Sequence, residues 1–129
     1  MDFYFDENLP ERLADAFNAL EGKDGHRVFL TGAKFGEGIK DVDLFPLIKN
    51  ANGILFTNDL IMISRRNEFV LLKKLQFTAF IMSFPKGSTF DEKARHLFLR
   101  WADIKKVCER EKLPVIYEIK NNGDFRLLT

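Results

Sequence analysis

Residues 2–10 read Asp2-Phe-Tyr-Phe-Asp-Glu-Asn-Leu-Pro10, an aromatic run that stops at two carboxylates and a proline. Phe3 to Phe5 is short and apolar enough for a buried strand. Asp6 and Glu7 then fall where the backbone must turn. Acids suit the first turn of a helix. Leu13, Phe17 and Leu20 share one face of a helix opening near Pro10, with Asn8 as its N-cap and Glu11 completing a capping box. A carboxylate at the C-terminal end of a strand in an open α/β sheet has a second use, because it points into the crevice where ligands and metals collect.

Working outward, the same short apolar run recurs at Val28 to Leu30, Ile54 to Phe56 and Phe77 to Met82, with helical patterns between. The longest helix is expected to open at Thr89, where Glu92 supplies capping-box spacing. Ala94, Leu97, Trp101, Ile104 and Cys108 form its apolar stripe, and it should end near Lys112. Pro114 begins an extended run through Ile119, and Asn122-Gly123 turns the chain into a last strand ending Phe125-Arg-Leu-Leu128. Strands alternating with helices predict a mainly parallel central sheet covered on both faces, finished by a C-terminal β-hairpin. The Gly32 to Gly38 stretch reads as a loop without the lysine and spacing of a phosphate-binding loop.

The 129 residues fit one domain, and 46% apolar content is enough for a packed core. No basic leader with an apolar run, and no stretch near the ~18 apolar residues of a membrane span, is seen, so a cytoplasmic location without membrane contact is expected. Cys108 is the only cysteine, which excludes an intrachain disulfide and any cysteine-based zinc cluster. Charge is uneven: residues 1–59 carry 6 bases and 11 acids, whereas residues 60–112 carry 12 bases and 6 acids. An acidic cluster beside a basic surface suits metal-dependent chemistry on a phosphate backbone, and solvated helix faces give the same count.

Asp6 ends the first strand, and Asp59 in Phe56-Thr-Asn-Asp59 follows the third, so both belong at the carboxyl edge of the sheet. Between them lies Lys40-Asp-Val-Asp-Leu-Phe-Pro46. A proline is tolerated in the first helical turn, which makes Asp43 the expected N-cap and leaves Asp41 just ahead of the helix, facing the same crevice. Taken singly, each acid is explained as a cap or a solvated turn residue. Taken together, three carboxylates in a small volume repel unless a cation joins them, and oxygen ligands without His or Cys favour Mg²⁺ or Mn²⁺.

The run Asp6-Glu-Asn-Leu-Pro10, then Asp41 leading an apolar helix, then Thr57-Asn-Asp59 with its Asp 18 positions after Asp41, resembles the compact PIN-like domains grouped with VapC-type toxins. That resemblance spans nearly the whole chain, residues 1–129. It implies a three-layer α/β/α sandwich whose clustered acids hold Mg²⁺ or Mn²⁺ and hydrolyse RNA, and a cognate antitoxin protein as partner. It makes Asp6, Asp41 and Asp59 the catalytic and metal-binding acids. Glu7 and Asp43 are further metal candidates, and Asn8, Thr57 and Asn58 are supporting residues. Where relatives place a second acid and a phenylalanine after the last motif Asp, this chain reads Asp59-Leu-Ile-Met62, so a PIN-like module that binds without catalysis is one alternative. Another is a phospho-acceptor switch resembling receiver domains, with Asp59 as acceptor and Ser83 and Lys86 assisting. Arg65, Arg66, Lys73 and Lys74 are candidate contacts to RNA phosphates. His26, His96 and Cys108 lack partners at ligand spacing and read as structural. Of the 14 phenylalanines, any left outside the core would mark a surface for the antitoxin or for a second copy of the chain.

Overall fold

Four-residue apolar runs, each too short for a helix and bounded by turn residues, become the parallel strands. The computed structural model describes residues 1–58 and 66–128, with 66–69 and 72 described by backbone alone. In chain order the elements are β1 (Asp2–Phe5), α1 (Glu11–Glu21), a 3-10 turn (Gly22–Asp24), β2 (Arg27–Leu30), α2 (Thr31–Phe35), α3 (Asp41–Asn50) and β3 (Ile54–Thr57). There follow α4 (Arg66–Leu75), β4 (Ala79–Met82), α5 (Phe90–Arg110), β5 (Ile116–Ile119) and β6 (Phe125–Leu127). The strands pair in the order β2-β1-β3-β4-β5-β6, parallel throughout except for the antiparallel β5–β6 hairpin.

Alternation along each strand divides the core into two layers. Phe3 and Phe5 of β1 pack with Leu13 and Phe17 of α1 and with Leu97, Trp101 and Ile104 of α5. Tyr4, pointing the other way, packs with Leu44, Phe45 and Ile48 of α3, and Leu71 and Leu75 of α4 join that layer. The result is an α/β/α sandwich, with α1 and α5 on one face and α3 and α4 on the other. Both α1 and α5 lie on the first face, yet β1 to β2 and β4 to β5 advance in opposite directions across the sheet. The β4–α5–β5 crossover therefore has the opposite hand to the other three, against the usual uniform handedness. Among the described residues, no helix is long and apolar enough to cross a membrane.

The long helix begins as its sequence predicts. Thr89 Oγ1 accepts the Glu92 N–H at 3.2 Å, and the Glu92 carboxylate accepts the Thr89 N–H at 3.2 Å. Leu97, Trp101, Ile104 and Cys108 are buried, and the helix stops at Arg110, two residues short of the expected end. In the closing hairpin, Asn122 and Asp124 exchange hydrogen bonds of 3.0 Å around Gly123. Gly123 has φ +91°, and a Cβ there would collide with the Arg100 guanidinium.

Other boundaries differ from expectation, each for a local reason. Asn8 is not the N-cap of α1. The chain first makes a tight turn, with Leu9 N–H donating to Asp6 C=O at 2.9 Å, and Pro10 at φ −59° opens the helix without a side-chain cap. Leu20 is 56% exposed, and the buried line runs Leu13, Phe17, Glu21. Glu21 tolerates burial because its carboxylate accepts Trp101 Nε1–H at 2.8 Å and pairs with Lys105 at 3.1 Å. Asp43 does not cap α3 either, since extended Lys40 precedes the helix and its carbonyl receives the N–H groups of Asp43 and Leu44. Pro46 is consequently the sixth helical residue, in the second turn, and the carbonyl that its missing N–H forfeits belongs to Val42, an exposed residue. Residues expected as a loop from Gly32 include the short helix α2.

Candidate functional site

In an open parallel sheet the crevice for ligands forms at the carboxyl edge, where neighbouring connections depart to opposite faces. Here that point lies between β1, which leads to α1, and β3, which leads toward α4 on the other face. Asp6 stands there. Its N–H continues the sheet by donating to Phe56 C=O at 2.9 Å, and its Oδ1 accepts the Asn8 N–H at 3.2 Å. Oδ2 accepts the Thr57 hydroxyl at 2.9 Å from the neighbouring strand. Asp6 is 8% exposed and Thr57 fully buried. The turn and the site are thus made by one side chain, because the carboxylate that shapes the backbone also faces the crevice.

Asp41 is the first residue of α3, where the helix N-terminus favours negative charge. With Asp6 it lines a cavity of about 180 Å³, completed by Glu7, Asn8, Thr31, Ile39 and Leu44. Thr31 is buried at the end of β2, so successive strand ends bring Thr31, Asp6 and Thr57 into one row. Glu7 reaches the rim, with Oε2 accepting the Gly38 N–H at 3.1 Å. A Cβ at Gly32 would come within 3.2 Å of that oxygen, so the α2 backbone packs close beneath Glu7. Glu7 and Asn8 also border a wider hollow of about 630 Å³ with Glu11 and Glu37.

The remaining sequence candidates divide by position. Asp43 is exposed as the third residue of α3 and does not line the cavity. Asn58 follows β3 half-buried. Asp59 and Arg65 lie outside the described residues, as does the side chain of Arg66. Lys73 and Lys74 are exposed in the last turn of α4, about 10 Å of helix axis beyond Arg66. Because α4 returns the chain from the carboxyl edge to the amino edge, those lysines point toward the end of the sheet away from the acids. Among the described residues, no three His, Cys, Asp or Glu side chains gather closely enough to hold a metal ion. Asp6 and Asp41 line one cavity, and Asp59, the third acid named from the sequence, lies outside the described residues. Thr31 is the lining residue that pattern reading missed; the register of β2 with β1, had it been known, would have placed it beside Asp6.

The structural histidines and the cysteine stand apart from this cavity. His26 Nδ1 lies 3.0 Å from the terminal amine, and His96 packs edge-on against Phe84. Burial, and after it the charge of Arg100, lowers the pKa of His96. Burial pushes the Cys108 thiol up to about 12, which suits packing rather than nucleophilic chemistry.

A doubly wound α/β sandwich with acids gathered at its switch point defines a class of domains in which ligand chemistry occurs at the carboxyl edge. Residues 1–84 match the family described as PIN like domain, and the chain belongs to that family. The match runs from β1 past the end of β4, so it includes Asp6, Asp41 and Thr57 and excludes α5 and the closing hairpin. Neither the curated proteins nor the solved structures provide a match. PIN-like domains are commonly nucleases, which places the chain with hydrolases at that coarse level.

Proposed function

We propose that the chain is a metal-dependent endoribonuclease of the cytoplasm, acting as a VapC-like toxin of a type II toxin–antitoxin pair and restrained by a cognate antitoxin protein. The observation that carries this reading is the meeting of Asp6 and Asp41 on one cavity at the switch point of the sheet. The donors there are oxygens, the set that suits Mg²⁺ or Mn²⁺, and Mg²⁺ commonly binds through only one or two carboxylates. Asp6 and Asp41 would hold the ion, with Asp59 as third ligand and Glu7 at the rim. When bound, such an ion lowers the pKa of a coordinated water and offsets charge developing on a phosphodiester.

The chain's own residues supply position. Thr57 and the Asn8 N–H fix the Asp6 carboxylate in one orientation, so little is lost in ordering it when ligand binds. Asp41 presents its charge from the opposite wall on a helix N-terminus. With Lys73 and Lys74 in the last turn of α4, Arg65 and Arg66 remain the candidate contacts to RNA phosphates.

The strand order β2-β1-β3-β4-β5 is also that of doubly wound switch domains, which favours the receiver-like alternative with Asp59 as phospho-acceptor. The β5–β6 hairpin in place of a closing helix counts against it. A catalytically weak interaction module is the third reading, and it rests on Asp59-Leu-Ile-Met62 standing where relatives carry a second acid and a phenylalanine. Incubating the purified chain with a mixed RNA pool, with and without Mn²⁺, separates these readings. Cleavage only with metal supports the nuclease. Mass gain after a small phosphodonor, without cleavage, supports the switch, and neither result supports the binding module.

A further inference from the structure

The helix that lies outside the family match carries a surface its own protomer does not use. On α5, Leu99 sits nine residues from both Phe90 and Cys108, about two and a half turns, and so faces directly away from the buried stripe. That position on an amphipathic helix is normally polar. Leu99 is instead 57% exposed, and its neighbour Phe98 is 60% exposed. Ala102, one turn on, is exposed too.

Charges flank this apolar centre in a particular order. Glu92 and Arg95 precede Leu99 on the outer face, and Asp103 and Lys106 follow it. Arg95 and Asp103 are each four residues from Leu99, about 6 Å along the axis; Glu92 and Lys106 are each seven, about 10 Å. An antiparallel copy of the helix, related by a two-fold axis through Leu99, therefore sets Arg95 against Asp103 and Glu92 against Lys106, each pair occurring twice. A parallel copy in register would oppose like charges throughout. Among the described residues, Arg95, Asp103 and Lys106 form no ion pair within the protomer. Glu92 Oε1 is engaged at Thr89, while Oε2 makes no hydrogen bond among the described residues.

We infer that α5 is the self-association surface of this protein, forming an isologous antiparallel helix pair centred on Leu99, with Phe98 and Ala102 closing over it. The occupant is a second copy because the helix is self-complementary about Leu99: the charge at each outer position finds its opposite at the mirror position of the same sequence. The pairing is independent of the nuclease reading. It leaves the Asp6–Asp41 cavity open, since α3 and α5 cover opposite faces of the sheet. One helix pair falls short of the standard interface of about 1,600 Å², so the dimer is weak and concentration-dependent.

Sedimentation velocity over a concentration series up to about 1 mM tests this, because that range reports dissociation constants into the millimolar. Wild type is expected to convert from monomer to dimer. Leu99→Glu, and separately Asp103→Arg, should remain monomeric with unchanged melting temperatures, since both sites are exposed. The double change Arg95→Asp with Asp103→Arg, which reverses both partners, should restore the dimer. A wild type that stays monomeric overturns the inference. So does a dimer unaffected by Leu99→Glu, or a double variant that fails to recover association.

Discussion

The Thr57 hydroxyl donates a hydrogen bond to the Asp6 carboxylate between neighbouring strands, from a residue 51 positions away in sequence. Thr57→Val keeps the shape and leaves Oδ2 one donor short in a buried place, which should cost about 1–3 kcal/mol in urea unfolding. Thr57→Ser should recover most of that, and an unchanged Val variant would remove Thr57 from the positioning of Asp6. Asp43 makes the opposite case. It is exposed and outside the cavity, so Asp43→Asn should leave metal-dependent cleavage intact and shift stability by no more than about 1 kcal/mol. Abolished cleavage in a folded Asp43→Asn protein would make it a ligand. Sequence misplaced Asp43 because the rule confining proline to the first turn gave way at Pro46, whose forfeited bond falls at the exposed residue Val42. Asp6 was legible from its place at a strand end. Its second task, receiving the Asn8 N–H, displaced Asn8 from the cap that its spacing to Glu11 suggested.

The capping box of α5 formed as its spacing predicts, and Thr89→Ala should cost about 0.5–2 kcal/mol, measured by thermal unfolding. A loss below that range would mean the first turn is held by packing alone. The C-terminal end of α5 and the strand after it set a response to alkali. Burial, followed by the charge of Glu109, pushes Cys108 up to about 12 from 9.0; the hydrogen bond to Glu111, followed by burial, pushes Tyr117 up to about 12 from 10.0. Unfolded chains release these protons first, so stability is fully present below about pH 9 and falls as pH rises toward 12. Tyr117→Phe should flatten the part of that decline above pH 10. A decline identical to wild type would assign it to other groups. The amphipathic stripe of α5 was readable, but not the face it covers. Uniform handedness would have sent it to the side of α3 and α4, whereas Trp101 finds Phe3, Phe17 and the Glu21 carboxylate beside α1.

For the whole molecule, alternating short apolar runs and helical stripes were enough to predict a mainly parallel sheet, covered helices and the final hairpin, because burial periodicity is written locally. Convergence is not local. That Thr31 joins Asp6 depends on strand register, and that Lys73 and Lys74 leave the acids depends on the direction in which α4 returns across the sheet. The central claim is that Asp6 and Asp41 share one cation on which RNA hydrolysis depends. Asp41 is the better residue to change, since it stands outside the β1 turn and lies only half-buried at the start of α3. The most direct measurement is the rate of Mn²⁺-dependent cleavage of a mixed RNA pool by wild type and by Asp41→Asn, at equal folded concentration. Wild-type cleavage should stop on chelation, and the rate should fall about 100-fold or more in Asp41→Asn, the scale of losing a group that stabilises transition-state charge. Equal rates for the two proteins, or a wild-type rate indifferent to chelation, would contradict that claim.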